Sequence, residues 1–195
     1  MLSNSIISKY TLGDVTHYII RQNNAIVAYM DINSTASGNY WVRHSATEGG
    51  RKGMGYALYN LVIKDIYPSG LMPSRECTSG FAIPLLDKLF KDTAIKKSII
   101  TDEVDYMSEA DEWLDEVLAV NPTLSEDDIS ALEDDFSYFN ASVSGKMTPH
   151  PYNHVYKASG AFAGVISELK DNELNLIEEG LAFFGARYDT LDFCA

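Results

Sequence analysis

The feature that most constrains this chain is a glycine-rich turn caught between a strand and a helix. Tyr40 to Thr47 (YWVRHSAT) reads as a strand. Glu48 alone separates it from Gly49-Gly50-Arg51-Lys52-Gly53-Met54-Gly55. Beyond the turn, Leu58, Val62 and Ile66 recur every four residues with Leu61 alongside, and Pro68 and Gly70 follow, which predicts a helix over Tyr56–Tyr67. A strand that runs through such a turn into a helix leaves free backbone N–H groups at the positive end of the helix dipole. That arrangement suits a phosphate or pyrophosphate, and Arg51 and Lys52 add positive charge beside it. Two familiar phosphate motifs do not fit: a Rossmann turn needs glycine where Leu58 stands, and the P-loop spacing is absent. The alternative is a glycine turn that serves only close strand–helix packing.

The surroundings predict an α+β or α/β core. His17–Arg21 and Ala25–Ile32 are strand-like runs joined by the turn Gln22-Asn23-Asn24, and Ser34–Asn39 is a loop by composition. Strict alternation in the third strand puts Trp41, Arg43, Ser45 and Thr47 on one face and Tyr40, Val42, His44 and Ala46 on the other. A second helix is expected from Ser79 to Lys91, with Pro84 in its first turn, and a further strand over Ile95–Thr101. The second half reads as helical. Ser108-Glu109-Ala110-Asp111 and Ser125-Glu126-Asp127-Asp128 fit capping boxes, and Leu174, Ile177, Leu181 and Phe184 mark a last amphipathic helix. The expected organisation is a core over residues 1–101 and an acidic, mainly helical extension over 102–195 packed on it.

Charge narrows the choice of partners. The net charge is −13, and 14 of the 28 acidic residues lie between Asp102 and Asp135, a stretch without Lys or Arg. Such a run is either a solvated helical face or a docking surface for a basic protein or an amine substrate. It repels phosphates, so nucleic acid is not an expected partner. No apolar run approaches the roughly 20 residues of a spanning helix, so no membrane span is expected. Two cysteines in 195 residues and a start without signal-peptide features lead us to expect a reducing, cytoplasmic setting.

WVRHSATEGGRKGMGYALYNLVI resembles the acetyl-CoA signature of the GNAT family of N-acetyltransferases: a strand, a loop of the form Q/R-x-x-G-x-G/A, then a helix. Here the loop is Gly50-Arg51-Lys52-Gly53-Met54-Gly55. The resemblance spans roughly residues 15–101 and implies the α+β form, a mixed, mainly antiparallel sheet flanked by helices. It also implies acetyl-CoA as cofactor, its pyrophosphate held by the amides of Arg51, Lys52, Gly53, Met54, Gly55 and Tyr56. Its pantetheine arm would lie along the strand edge at Ser45, Ala46 and Thr47. SGFAIPLLDKLF is similar to a second family helix, N-x-x-A-x-x-L-Y-x-K-x-G, with Ala82, Leu85 and Lys88 in place. Ser79, Phe90 and Leu86 depart from it, and Leu86 stands where the family commonly carries the tyrosine that protonates the departing thiolate. Gly50 replaces the usual Gln or Arg. GLMPSRECTSGFAIPLLDKLF is also similar to GNAT-like proteins of tailed bacteriophages. The implied function is acetyl transfer to an amine. The alternative is a non-catalytic GNAT-fold assembly protein, located in host cytoplasm or a virion and contacting a protein partner.

Glu48, at the strand's end, is a candidate general base, and Tyr156 or Tyr152 a candidate replacement acid. The alternative for Glu48 is a solvated loop carboxylate. His150 and His154 are four apart, but Pro151 breaks the helix that metal ligation at this spacing needs, so they read as two histidines of a loop and no metal site is expected. Gly160–Gly164 (GAFAG) reads as a close-packing motif between helices. Cys77 reads as a neutral thiol, without a Cys-His-Asn pattern around it.

Overall fold

Two tight turns in left-handed backbone begin the sheet. The computed structural model describes residues 5–49, 52–74, 82–100, 151, 154–170 and 173–188. Gly13 (φ 58°) turns β1 (Ile6–Leu12) into β2 (Val15–Gln22). Asn23 (φ 50°) and Asn24 (φ 63°) turn β2 into β3 (Ala25–Ser34). Positive φ at both central residues marks a two-residue hairpin turn whose twist matches the strands, and asparagine tolerates that region better than other residues bearing a Cβ. β4 (Tyr40–Thr47) returns antiparallel to β3, so β1 to β4 form an up-and-down meander.

The direction then changes. α1 (Met54–Asp65) carries the chain back over the sheet, and the two-residue β5 (Leu71–Met72) enters parallel to β4. A parallel neighbour requires such a crossover. α2 (Ile83–Lys91) and β6 (Lys96–Ile99) follow. β7 (His154–Lys157) lies antiparallel between β5 and β6, and β8 (Ser167–Glu168) pairs parallel with β1. The order is β6-β7-β5-β4-β3-β2-β1-β8, a mixed and mainly antiparallel sheet of eight strands among the described residues. Residues beyond 101 therefore supply two of its strands, as well as α3 (Asn175–Tyr188). The Asp102–Asp135 segment lies outside the described residues.

One sheet face carries the main core. Met54, Leu58, Leu61 and Val62 of α1 and Leu86 and Leu89 of α2 pack on Tyr18, Ile20, Met30, Ile32 and Val42. Burial of such apolar side chains contributes about 1.5–3 kcal/mol each relative to exposure. The opposite face is covered by α3 over a smaller cluster of Ile19, Tyr29, Leu169 and Leu176. Leu181 faces outward at 40% exposure, and Gly180 takes the inward place instead, because a Cβ there would lie 2.4 Å from the Tyr29 ring.

A bulge in β4 reshapes the sheet next to β5. Asp31 pairs with His44 and Ile32 with Val42, so Arg43 is the extra residue. The alternation expected from sequence fails here. Val42 packs in the α1 core, and Ser45, three residues on, also reaches α1. An inserted residue changes which side chains face inward and bends its strand. β5 accompanies β4 only at Tyr40 and Trp41, so the strands part where the bulge begins.

Candidate functional site

The open stretch of β4 and the start of α1 form the candidate site. From Val42 to Ala46, β4 pairs with β3 on one side and with no described strand on the other. Glu48 continues that pairing, its N–H donating to the Val27 carbonyl at 2.8 Å. Two residues past Arg51, Gly53 caps α1 at φ 83°, a conformation that only glycine adopts cheaply. Among the described residues no side chain caps this helix, and no acidic residue stands in its first turn. The first N–H groups of a helix have no partner within it and are the ones a ligand or water can take. Lys52 is exposed beside them.

The residues singled out from sequence divide by what they touch. Ser45 lies inward, its Oγ 3.4 Å from the Tyr59 hydroxyl, while Ala46 and Thr47 pair with Tyr29 and Ala28. Met54 is 1% exposed, so its side chain belongs to the core and its backbone alone can serve a ligand. A Cβ on Gly55 would sit 2.8 Å from Leu85 Cδ1. Close α1–α2 packing is therefore part of what Gly55 does. The Tyr56 hydroxyl donates to Asp92, and Lys88 Nζ lies 4.1 Å over the Tyr56 ring, which ties α1 to the C-terminal end of α2. Arg51 and Gly50 lie outside the described residues.

Tyr156 is not gathered with this group. It sits on β7 opposite Leu71, and Leu71 in turn faces Tyr40 at the far end of β4 from Thr47. The side chain is 1% exposed and its hydroxyl donates to the Pro151 carbonyl at 2.6 Å. Leu86 is a core residue at 1% exposure rather than a cleft residue. His154 is a buried strand residue with its ring edge-on to Phe90 at 4.9 Å, and not a loop histidine. His150, Tyr152, Cys77 and Ser79 lie outside the described residues. Gly160–Gly164 is not helical, so the helix-packing reading does not hold there. No cluster of metal-binding side chains occurs among the described residues.

Sequence reasoning passed over two groups next to the open edge. The first is Tyr59, spaced four residues from Gly55 on the face of α1 that meets β4; burial pushes its phenol up, so it stays protonated. The second is a polar line on the opposite face. Asp31, 1% exposed, accepts the backbone N–H of His44 at 2.7 Å on Oδ1 and meets His44 Nδ1 at 3.0 Å on Oδ2. The Tyr29 hydroxyl donates to the same Oδ2 at 3.4 Å and lies 2.9 Å from His17 Nδ1. Burial lowers the His17 pKa and raises that of Tyr29. Strand alternation alone places His17, Tyr29 and Asp31 within reach, but the bulge that turns His44 toward them carries no sequence signature.

Taken together, the described chain is an α+β protein whose sheet is opened between two parallel strands beside an uncapped helix start. No described helix is long and apolar enough to cross a membrane. Comparisons with protein-family models, curated proteins and solved structures give no match for the chain.

Proposed function

We propose that the protein is a GNAT-like acetyltransferase that uses acetyl-CoA to acetylate an amine. The observation that carries this reading is the bulged β4, which among the described residues meets no strand on one side over Val42–Ala46 and leads to an α1 start with no side-chain cap. An extended, amide-bearing chain such as pantetheine can add to a free strand edge through backbone hydrogen bonds. A pyrophosphate suits the amides of Gly53 to Tyr56, with Lys52 alongside. These features fit the molecule's two ends in the right chain order. The thioester would supply an activated acetyl group, and the residues of this chain would hold the molecule and orient its carbonyl beside Ser45.

The usual general acid is missing from its place, because Leu86 is buried hydrocarbon and Tyr156 is already donating to a carbonyl. A thiol with a pKa of about 8.5 leaves as thiolate near neutral pH with little help, so acetyl transfer survives that absence at reduced rate. The same two observations favour a second reading, a GNAT-fold protein that binds CoA or a partner without catalysis, as an assembly component. Thermal unfolding with acetyl-CoA tests the shared claim. Saturation at a hundredfold excess over the dissociation constant should stabilise the fold by about 2.7 kcal/mol. Lys52→Glu should weaken binding without lowering the melting temperature of the free protein. No shift at millimolar acetyl-CoA would refute the proposal.

A further inference from the structure

The polar line under α3 is more than a way of burying polar side chains. We infer that His44 is the proton acceptor for the incoming amine, with Asp31 as the residue that positions it; this rests on the acetyl-CoA reading above. His44 lies in the middle of the stretch of β4 that meets no described strand on one side, so it stands at the strand edge along which the acyl donor would run. Its side chain is 28% exposed while that of Asp31 is 2% exposed, so the imidazole links a buried carboxylate to solvent.

The hydrogen bonds fix the chemistry of the ring. The His44 amide and the Tyr29 hydroxyl both donate to the Asp31 carboxyl, whose Oδ2 also meets His44 Nδ1 at 3.0 Å. Two donors already aimed at it suit an ionised carboxylate, which only accepts, and beside such a carboxylate neutral His44 would carry its proton on Nδ1. Nε2 then carries the lone pair. A histidine held by a carboxylate in this tautomer is an effective general base, since the carboxylate both orients the ring and stabilises the imidazolium that forms. Phe184 of α3 packs on the other side of the ring, 4.7 Å between centroids, and restricts its rotation. The bulge at Arg43 is what brings the ring to this face.

The proton balance is simple. The neutral amine's nitrogen bonds to the thioester carbon, and as it becomes an amide nitrogen it sheds one proton, which Nε2 takes. The imidazolium returns it to solvent, and the electron pair of the broken carbon–sulfur bond leaves on sulfur. No oxidant or metal is needed. In this assignment His44 takes the general-base role for which Glu48, one residue past β4, is the sequence candidate.

Two measurements on the full chain test the assignment. Nitrogen-15 NMR of the unliganded protein above pH 8 should show His44 with hydrogen on Nδ1 and a bare Nε2. Asp31→Asn should abolish that tautomer preference while the rest of the amide spectrum persists. Thiol release from acetyl-CoA, with ethylamine, spermidine or a lysine peptide as acceptor, should fall about a hundredfold or more in His44→Gln. The calorimetric affinity of that variant for acetyl-CoA should stay within a few-fold of the parent's. A protonated Nε2 in the parent, or equal release from parent and His44→Gln, overturns the inference. So does a parent that binds acetyl-CoA yet releases no thiol, which leaves the binding reading standing. A parent that fails to bind acetyl-CoA overturns both.

Discussion

His17 shows how a single buried side chain sets a pH limit. Burial is the largest influence on it and lowers its pKa from the ordinary 6.5, outweighing the attraction of Asp31. The unfolded chain therefore takes up this proton at higher pH than the folded one. Between the two pKa values the unfolded state binds more protons, so stability falls as pH drops below about 6.5 and levels off below the folded value. Urea midpoints at pH 7.5 and pH 5 should show this loss, and His17→Gln should reduce the difference. Asp92 works in a separate window. The hydrogen bond from Tyr56 holds its carboxyl below the usual range, so that contribution persists to lower pH and is lost only on stronger acidification. Leu86→Tyr makes a different point. The site is core, and adding a phenol should cost about 1–3 kcal/mol in chemical denaturation instead of restoring an acid. The sequence positions Leu86 correctly on a helix, yet a motif register does not say whether a side chain meets a cleft or a core.

Between neighbouring elements, close approach decides more than propensity. Gly180 lets α3 settle on Tyr29, and Gly180→Ala should lift the helix off its small cluster, with a loss of about 1–3 kcal/mol and faster amide exchange in α3. Retained stability and unchanged exchange would show that the Tyr29 ring moves aside. The elements themselves were largely legible: β2, β3, β4, α1, α2, β6 and α3 follow from alternation, helical spacing and turn residues. β1 was missed although Gly13-Asp14 is a turn signal, because Ser8, Lys9 and Thr11 dilute its apolar pattern. The two-residue β5 and β8 are too short to have a period, and the four-residue β7 pairs with β5 and β6, which lie more than fifty residues before it in sequence. The glycine turn was legible as a candidate site. The bulge that opens the sheet beside it was not, since Arg43 and His44 fit an unbroken strand equally well by composition.

For the molecule as a whole, one arrangement unites fold and proposed function: β4 and β5 pair only at Tyr40–Trp41 and Leu71–Met72, and α1 begins seven residues after β4 ends. The main core lies on the α1–α2 face, and the smaller cluster under α3 holds Tyr29, whose hydroxyl donates to Asp31 of the Asp31–His44 pair. The reading stands or falls on whether acetyl-CoA occupies the candidate site. Hydrogen–deuterium exchange with and without acetyl-CoA is the most direct measurement, since it reports backbone amides one segment at a time. The account predicts slowed exchange confined to two segments, the outer amides of Val42–Ala46 and the first turn of α1 at Gly53–Tyr56. Unchanged exchange in both segments at saturating acetyl-CoA, or protection located on other strands alone, would contradict it.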